Sequence, residues 1–317
     1  MIVFLLKRLT FSALILFALS AFVFLLFFVA PGDPARAIAG DKATEQQMVQ
    51  IRKNLGLDRP VLTQYGLFLG RAVRGDLGYS YRSQQPVAEV VLRRVPVTLS
   101  LVLGGVVLWL AMGVPIGILS ARRPGGFFDR AGQVFILLGL SFPTFVLGML
   151  SLYTLYFLPR MAGFTLFPAG GYKPLFDNPL IWAWHLALPW STLAFVTAAV
   201  YARLTRGHLL QVLSEDYIRT ARAKGLTERR VVFRHAMRST LVPLVTQLGA
   251  DVAALLGGAI VIEQVYGLQG VGALAVQAVR NQDRPMIIGV VLLGGLFIAL
   301  ANLLVDIAYA LLDPRTR

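Results

Sequence analysis

The residues able to do chemistry in this 317-residue chain are few and scattered. Its three histidines, His185, His208 and His235, lie on different loops or segment ends, and it has no cysteine. That excludes thiolate metal sites and a disulfide scaffold, and leaves the redox compartment open. There is no GxxxxGK[ST] phosphate loop and no HExxH; Lys224–Gly225 stand in the wrong order for the former. The run "GLQGVG" at 267–272 lacks both GxGxxG spacing and a strand–helix context. No catalytic residue, metal site or bound cofactor is therefore expected of this chain. Without an energy-converting motif, it must run on a gradient, conduct passively or borrow work from a partner. Two carboxylates, Asp251 and Asp306, fall inside long apolar segments, where a charge is functional by default. They are sparse for an ion relay. Asp306 reads either as a hydrogen-bonding partner for a neighbouring helix end or as path-lining, and Asp251 equally as bundle-internal or path-lining.

The densest charge lies in "EDYIRTARAKGLTERR", where eight of sixteen residues are ionic. The signals in it predict two short helices. Ser214 is placed to N-cap the first, with Glu215 and Asp216 in its first turn, where the helix dipole favours acids. Gly225 breaks that helix; Thr227 then caps a second one, carrying Glu228 in its first turn and Val231, Val232, His235 and Ala236 on one side. Ile218, Ala221 and Gly225 recur at i, i+3 and i+7 as a narrow stripe beside Thr220, with Arg219, Arg222 and Lys224 off it. A stripe so poor in apolar area suits close approach of a partner. A solvated basic loop that merely fixes topology fits the residues equally well.

The elements that must hold this island are membrane spans. The chain is 56% hydrophobic and 15% charged, with a mean hydropathy of +0.68, against roughly 25% charged in soluble domains. Its net charge of +14 then reports topology and anionic lipid rather than nucleic acid. Apolar runs at Leu9–Ala30, Val97–Ser120, Ala131–Leu158, Leu186–Ala202, Leu241–Ile262 and Met286–Leu312 give six spans, the fourth the shortest, with Trp182, Trp184 and Trp190 as interfacial anchors. Lys7 and Arg8 precede an apolar run longer than the ~7–15 residues of a signal-peptide core, and Pro31 follows Ala30, so an uncleaved helix is expected. Nine basic residues against three acids in 203–238, and Arg122, Arg123 and Arg130 against Asp129, mark inside loops. Residues 159–182 hold only Arg160 and Lys173, and Arg280 and Arg284 of 263–285 are offset by Glu263 and Asp283. Both termini are then cytoplasmic. Residues 31–96 lie outside as a small helical subdomain, with Met48, Ile51 and Leu55 before a Gly56 cap in one helix and Leu62, Tyr65, Leu69 and Val73 in another. The expected architecture is all-α and polytopic: a first transmembrane helix over 1–30, the outer subdomain over 31–96, a transmembrane core over 97–312 containing a cytoplasmic loop at 207–238, and a tail over 313–317.

"EDYIRTARAKGL" followed by "RHAMRSTLVPLVTQLG" resembles the cytoplasmic coupling loop of ABC importer permeases, in particular the B-type permease subunit of the dipeptide/oligopeptide/nickel importer family. The permease pattern E-A-A-x3-G falls on Arg219, Thr220, Ala221 and Gly225. Its first two positions depart, and Pro243 lies further from Gly225 than in most importers, as in the peptide-importer branch. "PGDPAR", "LGLDRPVLTQYG", "RGDLGYSYRSQQPV" and "NLLVDIAYALLDPR" resemble the same family in the same order, over nearly the whole chain. One departure is that Leu268 and Gln269 stand where the family has an aromatic–proline pair after its glutamate. The resemblance implies the permease fold and half of a heterodimeric channel in a bacterial inner membrane, the other half being a second, C-type permease. It implies two ATP-binding subunits carrying ATP and Mg, an extracytoplasmic substrate-binding protein, and no catalysis by this chain. Asp216, Arg219, Thr220, Ala221, Arg222, Lys224 and Gly225 would form the loop that docks on an ATPase: Thr220 and Ala221 permitting close contact, the basic residues pairing with acids, Gly225 fixing the bend. Dipeptides or oligopeptides are the default cargo; nickel complexes, glutathione-like peptides and oligosaccharides are carried by relatives. The reading from another class is an ion-coupled secondary transporter using Asp251, for which the inverted repeats expected of many such folds are not seen.

Overall fold

The structure, a computed structural model, describes residues 2–29, 44–55, 58–257 and 259–312. The "PGDPAR" segment, the Gly56 cap and the tail at 313–317 lie outside the described residues, as do the side chains of Ile51, Leu55 and Asp306.

Among the described residues five helices are long and apolar enough to cross a membrane: α1 (Ile2–Val29), α4 (Val87–Arg122), α7 (Pro179–Leu213), α9 (Glu228–Leu256) and α12 (Arg284–Leu312). The short helices α2 (Glu45–Leu55) and α3 (Val61–Ala72) stand between the first two. A sixth span exists only if α5 (Phe127–Ser141) and α6 (Thr144–Met161) are taken together, and these meet at 97°. The single third span expected over Ala131–Leu158 is thus broken, and the cause is local. Pro143 disfavours the helical conformation of the residue before it, and Phe142 and Pro143 both take extended ψ angles, 129° and 138°. The remaining described helices are α8 (Asp216–Ala223), α10 (Ile260–Val265) and α11 (Val271–Arg280).

The fourth span is a full-length helix of 35 residues. Asn178 starts it: its Oδ1 accepts from the N–H groups of Leu180 (3.0 Å) and Ile181 (3.1 Å), and Pro179 occupies the first helical position, where a missing N–H costs nothing. The second span begins at Val87, ten residues before the apolar run, because the polar turn with Glu89, Arg93 and Arg94 continues the same helix. Residues 87–96, expected within the helical subdomain over 31–96, continue α4. The short helix α3 leans directly on α1: Tyr65 lies against Phe17 (5.8 Å) and Phe24 (5.4 Å), and its hydroxyl meets Ser20 Oγ at 2.8 Å.

The core runs between α4 and α7, where Leu101, Trp109, Leu186, Leu193, Ala194, Ala198 and Tyr201 are buried. Small residues bring the two backbones together. A Cβ at Gly113 would sit 2.6 Å from the Ala198 carbonyl oxygen, and one at Gly117 would sit 2.7 Å from that of Ala202. Close approach through glycine replaces the hydrophobic drive that lipid removes. Trp190 is part of this packing: its Nε1 donates to the Ser100 carbonyl (3.0 Å) and its ring meets Trp182 edge-on at 4.9 Å. Of the three tryptophans expected at the interface, Trp190 and Trp182 pack inward, and Trp184 is the exposed one.

Candidate functional site

The polar island forms one end of the bundle. Its first helix, α8, starts at Asp216, with Glu215 at the cap position and no side chain capping it; Ser214, the expected cap, instead donates to the Gln211 carbonyl (2.7 Å) and closes the end of α7. At its C-terminus Gly225 takes φ +76°, a left-handed conformation that favours glycine. Gly225 N–H donates to the Arg222 carbonyl (2.9 Å) and Leu226 N–H to that of Ala221 (3.4 Å). These are the paired bonds of a Schellman cap, which stop the helix and turn the chain.

The second helix is not a separate short element. The chain runs from Glu228 through a π-helical stretch at Val231–Ala236 and on to Leu256, so the island continues into a span without interruption. Two contacts fasten α8 to it. Arg222 grips Glu228 with both guanidinium branches (Nε–Oε1 2.7 Å, Nη2–Oε2 3.4 Å), and Tyr217 hydroxyl meets Ser239 Oγ at 3.2 Å.

Burial fixes the rotation of α8. Ile218 is fully buried and Ala221 nearly so, packed with Ile118 and Ala121 of α4, Leu209 of α7, and Val231 and Val232 of α9. Burying an isoleucine is worth about 1.5–3 kcal/mol, more than this short helix's polar residues offer for any other orientation. The Ile218–Ala221 stripe, expected to face a partner, therefore faces the bundle. The outward stripe lies one position over, at Tyr217, Thr220 and Lys224, with Arg219 and Asp216 beside it in an exposed ion pair of 3.1 Å. The exposed Tyr217 was missed at the sequence level, because an aromatic in a charged run carries no periodic signal. Of the seven expected loop residues, Asp216, Arg219, Thr220, Lys224 and Gly225 are on the outer side, Ala221 is inside, and Arg222 is engaged within the chain.

Two further carboxylates brace the bundle. Asp129, buried at the start of α5, receives Arg206 of α7 (Nε–Oδ1 2.7 Å, Nη2–Oδ2 3.0 Å) and the Gly125 N–H (2.8 Å). Asp251 accepts from Tyr201 hydroxyl (2.9 Å) on α7 and from Gln247 Nε2 (2.9 Å) one turn away, which makes it a bundle-internal tie between α7 and α9.

At the opposite end of α4, the fully buried Glu263 of α10 accepts from Thr98 Oγ1 (2.7 Å) and Ala273 N–H (2.7 Å), while Thr98 Oγ1 itself accepts from Val271 N–H (2.9 Å). Together they cap the first turn of α11, whose N–H groups have no partner within the helix. Burial pushes the Glu263 carboxyl above its ordinary value, against hydrogen bonds from Thr98, Ala273 and Gly272 and the charge of Arg94. In the same loop Leu268 is buried in the core, and Gln269 receives Arg94 at its side-chain oxygen (2.5 Å) and its carbonyl (3.2 Å). The Leu268–Gln269 pair thus makes an apolar anchor and a polar tie. Among the described residues no group of three or more histidines, cysteines or carboxylates could hold a metal ion.

Residues 113–317 match the family model described as binding-protein-dependent transport system inner membrane component, and residues 1–102 match the model of its N-terminal region. A probable peptide ABC transporter permease protein of Sinorhizobium fredii is 41% identical over 316 residues, covering 99% of each chain. The glutathione transport system permease protein GsiC of Escherichia coli O6:H1 is 39% identical, covering 100% of this chain and 99% of its own. Among solved structures, an inward-facing form of the MetNI methionine ABC transporter aligns at TM-score 0.54 and 20% identity, over 71% of this chain and 96% of that one. An amino acid ABC transporter with histidines aligns at 0.53 and 17%, over 70% and 94%. The helical fold is that of ABC importer permeases, and the chain belongs to the binding-protein-dependent transport system inner membrane component family, the multi-pass permease component of importers whose ATP is hydrolysed by separate subunits.

Proposed function

We propose that this chain is the B-type half of a peptide importer in a bacterial inner membrane, with both termini cytoplasmic. It would pair with a C-type permease, take cargo from an extracytoplasmic binding protein, and be driven by two ATPase subunits that bind ATP and Mg. The relatives named as peptide and glutathione permeases support short peptides as the cargo class. The observation that carries the mechanism is the continuity of α8 with the spans. Ile218 and Ala221 seat α8 on α4, α7 and α9; the Arg222–Glu228 pair ties it to α9; and α9 runs on into the bundle. A displacement of α8 by an ATPase is then a displacement of α9, with the Schellman turn at Gly225 as the only break between them. Asp251 and Asp129 join α9 and α5 to α7 and spread that motion across the helices.

The test is reconstitution of the chain with its partner permease, ATPases and binding protein in proteoliposomes. Uptake of a tripeptide that requires ATP, the binding protein and this chain is expected. Uptake by this chain alone, driven by an ion gradient and indifferent to ATP, would contradict the reading.

A further inference from the structure

The end of α4 remote from the island carries a cavity of about 530 Å³, within the ~300–1,000 Å³ of small-molecule sites. α4 has 36 residues, so the two ends are about 54 Å apart at ~1.5 Å per residue. Three separate segments build the cavity: the first turns of α4, the 171–172 turn, and the 267–269 turn. Its polar lining is Gln85, Arg93, Arg94, Tyr172 and Gln269, which is two guanidinium groups, two primary amides and a phenol, with no carboxylate. Arg94 is positioned by Gln269, as described above. Among the described residues Arg93 is held by Glu89 on its own helix, in an ion pair whose members are 67% and 51% exposed. Such an exposed surface pair is weak and gives way readily to a better acceptor.

A second cavity of about 610 Å³ adjoins the first and shares Gly171 and Gly267 with it. Both glycines take positive φ, +82° and +60°, and no Cβ intrudes between the two spaces. The second cavity is lined by Leu152, Tyr153, Tyr156, Phe157, Val265 and Tyr266, and so is largely aromatic. A site with paired guanidinium and amide donors on one side and aromatic rings on the other selects a ligand with an anionic end next to an apolar group. Arginine forks match carboxylates in particular.

Resting on the importer reading, we propose that these joined cavities are where the permease first holds its cargo: a short peptide whose free C-terminal carboxylate lies between Arg93 and Arg94 and whose last, apolar side chain lies among Tyr153, Phe157 and Tyr266. The permease would then contribute to selectivity instead of leaving it wholly to the binding protein.

The test uses the complete importer in nanodiscs without ATP and a tripeptide ending in benzoylphenylalanine, as the free acid and as the C-terminal amide. Photolysis followed by peptide mapping reads the labelled segments. The acid should label 85–97, 152–157 and 265–269 about tenfold more than the amide, a difference of ~1.4 kcal/mol. Arg93→Gln should remove that preference and Arg93→Lys should retain most of it, which separates loss of the charge from loss of the fold. Equal labelling by acid and amide, or an unaltered preference in Arg93→Gln, overturns the proposal. So does an Arg93→Gln importer whose only defect is a raised KM for the binding protein, since that marks a docking surface. Because labelling is read without ATP, its success alongside absent ATP-driven uptake would overturn the importer reading and leave the cavity standing.

Discussion

Among the described residues Glu263 has no charged partner within hydrogen-bonding distance, yet it is wholly buried at the head of α11. Its work is that of a cap supplied from another helix, which frees Gly270 to approach it; a Cβ there would strike the carboxylate. Glu263→Ala should leave orphan N–H groups that cost ~1–3 kcal/mol each, whereas Glu263→Gln keeps one acceptor and should cost less. The pH dependence has a definite sign. A carboxyl raised by burial prefers its proton in the folded state, so its stabilisation is fully present below the ordinary value of 4.5 and is lost as pH rises through the folded value. Thermal inactivation of the detergent-solubilised importer should therefore show this pH slope in the natural chain and lack it in Glu263→Gln; an identical slope in both would contradict the role. Little of this was legible beforehand. Glu263 was visible only as a charge offsetting Arg280 and Arg284, because its partners at Thr98 and Ala273 belong to other elements. Asp129 and Arg206, separated by 77 positions, were equally invisible as a pair, although an acid in the first turn after a Gly-Gly break is a local signal that could have marked Asp129. Asp251 was legible as a choice between two roles, but its partners Tyr201 and Gln247 were not.

At the scale of elements, apolar length was legible wherever a single helix carries it, as in α1, α7, α9 and α12. Proline geometry and charge hid the rest. Hydropathy averaged over Phe142–Pro143 erased a right-angle bend, and the Arg93–Arg94 turn masked the true start of α4. The existence, length and glycine stop of α8 were legible. Its rotation was not, since Ile218 can only choose a direction once α4 and α9 are beside it. That rotation is open to direct measurement because the chain has no cysteine. In inside-out vesicles without ATPase subunits, Thr220→Cys should react with a membrane-impermeant maleimide within minutes. Ala221→Cys, whose parent residue is 7% exposed, should react at least tenfold more slowly. The reverse order would place the contact stripe on the Ile218 side.

Considered as a whole molecule, the bundle is tied at both ends of α4. One end holds α8 through Ile118 and Ala121; the other holds α10 and α11 through Thr98. Large apolar side chains on α1, α4 and α5, such as Phe22, Val107 and Leu137, remain exposed, as befits spans that meet lipid. On the proposed function, work applied at the island reaches the loops at the far end of α4 along a rigid route. That transmission is tested most directly by substrate-stimulated ATP hydrolysis of the complete reconstituted importer carrying Gly225→Trp. Space around Gly225 is open, so the indole can project beside the outward stripe, while the left-handed backbone costs a residue with a side chain ~1 kcal/mol. Normal insertion and assembly, preserved basal hydrolysis, and loss of nearly all stimulation by the loaded binding protein are expected. Full stimulation in an importer assembled with Gly225→Trp would contradict the transmission.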